Sequence, residues 1–130
     1  MFVIHQCDGG YMPGLKFIPA EAITPKVGLC LKLDASSGQL EVSDTPQFIC
    51  MTETASPVTV GTPIAVIPVT RDIVFESALD GATSLKVGAL VDVDSTGLLI
   101  DADSTTDQVF RIEWLEGTAA GSKVRGRFVK

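Results

Sequence analysis

Lys26-Val27-Gly28-Leu29-Cys30-Leu31-Lys32-Leu33-Asp34 and Lys86-Val87-Gly88-Ala89-Leu90-Val91-Asp92-Val93-Asp94 are one pattern written twice, 60 positions apart. Each copy opens on a Val-Gly step and passes through a short apolar run. It then crosses small residues to a second glycine, Gly38 or Gly97, and a second apolar run. Glycine occupies positive φ without strain, so the Val-Gly step predicts a bulge or tight turn where the chain enters a sheet. Asp34-Ala-Ser-Ser-Gly38 and Asp94-Ser-Thr-Gly97 predict hairpins closed by a left-handed glycine. A shorter third copy begins at Thr59-Val60-Gly61 and runs into Ile64-Ala-Val-Ile-Pro-Val69. The copies are too few for a solenoid. They predict pseudo-symmetric halves of one small barrel.

The pattern extends outward over the rest of the chain. Runs rich in Val, Ile, Leu and Phe alternate with turn clusters from Val27 onward. The turn signals recur about every 8 to 12 residues, the spacing of an all-β sandwich or barrel. No segment carries a convincing helical period, and Gly81 limits the best candidate, residues 76–85. The expected fold is therefore all-β, a small β-barrel or β-tulip-like sandwich over residues 27–130, with an extended N-terminal arm over residues 1–26.

The arm is set apart by its texture. Residues 8–26 hold three glycines and three prolines. Proline lacks a backbone donor, which argues against a central strand or a helix there. Yet Tyr11, Met12, Leu15, Phe17 and Ile18 dot the segment, and a solvated linker has no need of them. Tyr11, Leu15, Phe17 and Ile18 are the candidate anchors of an arm lying against a partner. All seven prolines fall at or before Pro68. Pro63 and Pro68 bracket a strand, which suggests an edge strand or one that switches sheets.

Composition bounds the function. The 130 residues are 45% hydrophobic and 20% charged, enough to fold on a core of their own. A net charge of −6 argues against nucleic acid as the main partner. Aromatic residues make up 6%, too few for a stacking platform, and Trp114 with Tyr11 makes a poor one. No apolar stretch approaches the roughly 18 residues of a membrane span, and the N-terminus has no signal-peptide pattern. Cys7, Cys30 and Cys50 form neither a disulfide framework nor a zinc pattern. Cys30 and Cys50 sit inside apolar runs and read as small buried hydrophobes.

Chemistry is sparse. Asp92, Asp94, Thr96 and Asp103 fall at four positions of a twelve-residue calcium loop, with Gly97 at its sixth. The loop lacks the bidentate Glu and the flanking helices, so a hydrogen-bonded hairpin is the preferred reading and calcium the alternative. His5 and Cys7 lie two apart on an N-terminal strand, with no further ligand or orienting group in the pattern. No nucleophile elbow, Walker loop or dinucleotide fingerprint occurs. The expectation is a non-enzymatic protein without a cofactor. Charge is polarised: residues 1–110 carry −9 and residues 111–130 carry +3. In the C-terminal strand Lys123, Arg125 and Arg127 share one face and Val124, Gly126 and Phe128 the other. A solvated basic face is the preferred reading. The alternative is a docking face for an acidic surface, with Arg125 and Arg127 as contacts.

The whole chain resembles, in texture and length, the small head-decoration or capsid cement proteins of tailed bacteriophages and prophages. The nearest matching pieces are Lys86–Asp94 and Ala120-Gly-Ser-Lys-Val-Arg-Gly-Arg-Phe-Val129. The resemblance implies a virion structural protein made in the host cytoplasm. It would bind the major capsid protein on the outer capsid surface, as a homo-oligomer with a trimer favoured. An arm carrying apolar side chains and unpaired backbone could add a strand to its partner. The rival readings are another virion component, such as a head-fibre or tail-associated β protein, and a ligand- or carbohydrate-binding β module.

Overall fold

The computed structural model of the protein describes residues 1–130. Its strands are β1 (Val3–Cys7), β2 (Lys16–Ala20), β3 (Cys30–Leu33), β4 (Leu40–Val42), β5 (Phe48–Cys50), β6 (Thr62–Pro68), β7 (Ile73–Ala78), β8 (Leu90–Val91), β9 (Phe110–Leu115) and β10 (Lys123–Phe128). One 3-10 turn, Asp8–Gly10, is the lone helical element. β2, β4, β3, β5 and β6 close into a barrel, and β1, β7, β10, β9 and β8 form an open sheet in that order. The all-β barrel expected from the sequence is present. No helix is long and apolar enough to cross a membrane.

The repeated Val-Gly step is one local structure used three times. The N–H of Leu29 donates to Lys26 O at 3.1 Å, that of Ala89 to Lys86 O at 3.0 Å, and that of Thr62 to Thr59 O at 3.0 Å. Each closes a four-residue turn with glycine third, at φ of +87°, +93° and +89°, as a type II turn requires. Each glycine N–H reaches out of its turn, to Cys50, Ile112 or Ala20 O. The copies nevertheless do not make two halves of one barrel. β3 lies in the barrel and β8 in the open sheet. The two copies meet where Cys30 N donates to Gly97 O at 2.8 Å, joining the layers.

Residues 1–26 are largely extended, but the structure corrects the reading of 8–26 as a segment outside the sheets. β2 pairs antiparallel with β6 over five positions, from Lys16↔Val66 to Ala20↔Thr62. The prolines fit because they face one another. Ala65 directs both its N–H and its C=O towards β5, to Thr52 Oγ1 and Met51 N. By the two-residue period, Phe17↔Ala65 and Pro19↔Pro63 are then non-hydrogen-bonded pairs of the β2–β6 ladder, where no donor is missed. β6 is likewise no edge strand: it pairs with β2 on one side and β5 on the other. Pro68, opposite Phe48, has its nitrogen turned away from β5, as Val69 next to it donates there, to Gln47 O at 2.9 Å.

Two cores follow from the same alternation. Cys30, Ile49 and Ile67 join Phe2, Phe75, Phe110, Phe128 and others in a cluster between barrel and sheet. Their neighbours Leu31, Cys50 and Val66 join Ala20, Leu40 and Ile64 inside the barrel. β3, β5 and β6 are therefore buried on both faces, which is why they read as unbroken apolar runs. Both cysteines read as buried hydrophobes are at 0% exposure. Phe2 is also buried, and its ring packs 5.3 Å from Phe128 and 5.9 Å from Phe110.

Candidate interaction surface

The segment between β1 and β2 begins with a pinned base. Asp8 N donates to Asp72 O at 2.8 Å, and the Asp8 carboxylate accepts two bonds from the Arg127 guanidinium, one of them at 3.2 Å. That guanidinium holds the Asp8 carboxyl below its ordinary value. Gly9 and Gly10 then take φ of +78° and +77°, which a side chain would resist, and turn the chain outward. Beyond them four large apolar side chains are exposed, with Lys16 among them: Tyr11 at 85%, Met12 at 69%, Leu15 at 56% and Phe17 at 69%. Phe17 faces outward from the barrel, while Ile18 beside it turns inward and packs against the barrel core. The structure thus splits the expected anchors: Tyr11, Leu15 and Phe17 are on the surface and Ile18 supports the fold. Met12 bridges, since its sulfur accepts from Cys7 Sγ at 3.9 Å. It also borders a small groove of about 120 Å³ with Phe2, Val3, Ile4, Val27, Ile49, Met51, Ile67 and Phe75.

Arg125 and Arg127 lie on the outward face of β10, as the alternation predicts, but neither is free. Arg125 Nε donates to Glu76 Oε2 at 2.8 Å, and its guanidinium stacks 4.3 Å from the Trp114 ring centroid. The register places Trp114 directly opposite Arg125. Arg125 holds the Glu76 carboxyl below its ordinary value through that hydrogen bond. Arg127 Nε donates to Glu113 Oε1 at 2.9 Å and Nη1 to Arg71 O at 3.0 Å, besides the Asp8 contacts. Its own pKa is raised chiefly by the Asp8 hydrogen bond. Both arginines help to close the fold through these pairs. Glu76 and Asp8 are 49 and 119 residues away in sequence, so no local pattern announced them, whereas Glu113, 14 residues from Arg127, lies on the neighbouring strand of the same hairpin.

The acidic hairpin is also internally committed. Asp92 is 4% exposed. Its Oδ1 accepts the N–H of Asp107 and of Gln108, both at 2.8 Å. Its Oδ2 accepts the Thr106 N–H at 3.0 Å and the Ser104 hydroxyl. Asp94 Oδ1 accepts the Thr96 hydroxyl at 2.7 Å, and Asp103 lies exposed in the following loop. No group of three His, Cys, Asp or Glu is placed to hold a metal ion. The loop's own donors already occupy both oxygens of Asp92, the carboxylate that would lead a calcium site. His5 is the extra residue of a bulge between Ile4 and Gln6, so it does not share a face with Cys7 as residues two apart on a regular strand would.

Comparison with protein-family models gives no match. Comparison with curated protein sequences gives none either.

Proposed function

We propose that the protein is a non-enzymatic virion structural protein that binds the outer surface of a phage capsid and stabilises it. The observation that carries this reading is the segment from Tyr11 to Phe17, with four apolar side chains more than half exposed on a pinned base. Apolar side chains concentrated in this way on a surface favour an interaction site. Burying a Tyr, a Leu and a Phe against a partner contributes roughly 1.5 to 3 kcal/mol each. On this reading the partner is the major capsid protein, the location is the virion surface, and the binding unit is a homo-oligomer, a trimer by preference. Tyr11, Leu15 and Phe17 are the contacts.

The test is co-sedimentation with shells assembled from the major capsid protein of the same genome. Truncating the N-terminus is unsuitable, because it removes β1 and β2 and opens the barrel. The triple variant Tyr11→Ser, Leu15→Ser, Phe17→Ser changes exposed side chains only. Wild-type protein should saturate the shells at hundreds of copies, and the triple variant should stay in the supernatant. Binding at a few copies per particle would favour a head-fibre or tail-associated protein instead. Equal binding by the variant would remove the segment from the interface.

A further inference from the structure

Arg71, Arg111 and Arg127 line one open concavity of about 330 Å³, with Glu113, Phe128 and Val129. They come from three places: the β6–β7 turn, β9 and β10. Arg111 and Arg127 stand directly opposite each other on neighbouring strands. Like charges at opposed positions destabilise a sheet. The β9–β10 pair is also irregular here, its register shifting between Arg125 and Gly126 opposite Glu113. Bulges often re-aim side chains beside functional sites.

The charges around this concavity are unequally satisfied. Glu113 and Asp8 are both held by Arg127. The two remaining ion pairs join Lys32 to Glu41 and Arg125 to Glu76. Arg71 and Arg111 therefore have no carboxylate partner, although the chain is acidic overall. Arg71 donates one bond to Val129 O at 3.0 Å, which fixes its position. Both side chains are exposed. A sequence choice that works against local stability, without a compensating contact inside the fold, is a mark of function.

We propose that this concavity binds the carboxylates of an acidic peptide segment on a partner protein. Arg71 and Arg111 each take a carboxylate, and Arg127, already bound to Asp8 and Glu113, positions the floor between them. The guanidinium fork matches a carboxylate in two parallel hydrogen bonds. The site is open, so a lone small anion keeps its water and gains little. A segment bringing several carboxylates engages both guanidiniums at once. Nucleic acid fits less well, because the ring of Phe128, the one aromatic residue of the lining, is buried and leaves no face on which a base could stack. The inference is independent of the capsid reading, since it holds whatever protein carries the segment.

The experiment is fluorescence anisotropy with labelled hexaglutamate at about 20 mM ionic strength, where charge contacts are weakly screened. Hexaglutamate should bind, and added salt should release it. Arg71→Gln and Arg111→Gln should each weaken binding about fivefold, the scale of one exposed charge contact. Lys86→Gln, on a different turn, should leave it unchanged. Thermal melts guard against misfolding, and Arg111→Gln should melt no lower than wild type because it removes a like-charge pair. No binding, or equal binding by the Arg71→Gln, Arg111→Gln double variant, overturns the proposal. Displacement of hexaglutamate by an equal concentration of inorganic phosphate also overturns it, leaving a free-anion site only.

Discussion

Asp92 offers the sharpest test of how this fold is held. Its carboxylate accepts four donors from one short stretch: the Ser104 hydroxyl and the N–H groups of Thr106, Asp107 and Gln108. That stretch delivers the chain to β9 and contains Gln108, the one non-glycine residue with positive φ, at 54°. Asp92→Asn keeps the shape but leaves one acceptor oxygen. Turned one way, its NH2 group faces the N–H groups of Asp107 and Gln108; turned the other, it faces the Thr106 N–H, while the Ser104 hydroxyl can rotate to accept from it. Hydrogen bonds to a charged group contribute about 1.5 to 3 kcal/mol each, and a buried unpaired donor costs about 1 to 3 kcal/mol. The variant should therefore lose about 3 to 5 kcal/mol, a large part of the 5 to 15 kcal/mol typical of a domain.

The pH dependence adds a second check. Burial alone would raise the Asp92 pKa, but the bonds from Ser104, Gln108, Asp107 and Thr106 outweigh it, and the net shift is downward. A lowered folded-state pKa contributes stability that is full above the unfolded value, near 3.9, and is lost as pH falls through the folded value. Urea titrations followed by Trp114 fluorescence should show the full gap between wild type and Asp92→Asn at pH 7. The gap should close progressively below about pH 4. Taking the difference between the two proteins cancels the similar contributions of Asp8 and Glu76. A gap under about 1 kcal/mol at pH 7, or one that does not change with pH, would refute the account of the cage.

Other substitutions probe other joints. Phe2→Ala should cost about 3 to 5 kcal/mol in the same urea assay, since a fully buried ring in the Phe110–Phe128 cluster is lost; a loss under about 1 kcal/mol would mean the N-terminal strand is not part of the core. Gly126→Ala should give insoluble or strongly destabilised protein, because a Cβ there overlaps Arg111 O and falls 2.6 Å from Phe110 Cε1; a soluble variant with an unchanged melting midpoint would contradict the close approach of β9 and β10. Burial raises the thiol pKa of Cys30 and Cys50, so a thiol reagent at pH 8 should label Cys7 alone in native protein and all three cysteines in urea.

What the sequence made legible was local and periodic. The Val-Gly turns, the hairpin glycines and the amphipathic β10 each rest on residues within a few positions of one another. The layer assignment of the two repeat copies does not. Nothing in Leu29-Cys30-Leu31 or Ala89-Leu90-Val91 says which sheet each will enter, since that depends on pairing with β5 and β9. The prolines misled for a related reason. Pro19 and Pro63 each argue against a central strand when read alone. They are compatible with one when read as an opposed pair, and the pairing spans 44 residues. Of the candidate contacts, Tyr11, Leu15 and Phe17 were visible as apolar residues without a period, whereas Ile18 went inward because the two-residue alternation of β2 continues through it. Of the arginine concavity only Arg127 was visible, as a charged residue on the polar face of β10; Arg71 and Arg111 come from segments that only the fold brings beside it.

The polarised charge of the chain has a different meaning in three dimensions than along the sequence. A basic C-terminus after a long acidic stretch suggests a docking face for some other acidic body. The fold supplies that acidic body from within. β10 lies between β7 and β9, so its arginines meet Glu76 on one neighbour and Glu113 on the other, and Arg127 also reaches Asp8 before the exposed loop. The imbalance thus serves first to lock β10 into the sheet and to hold the base of the Tyr11–Phe17 segment. Only cations left over from that task can serve a partner, and these are not the ones that a face-by-face reading of β10 selects. Arg71 and Arg111 are left over because they stand at positions where the neighbouring strand offers a carbonyl or another arginine in place of an acid. For a protein proposed to hold onto a larger assembly, the two available surfaces are then of opposite kind. One is an apolar segment anchored by Asp8, and the other an unpaired guanidinium pair. Arg127 belongs to both, since it binds Asp8 and lines the concavity.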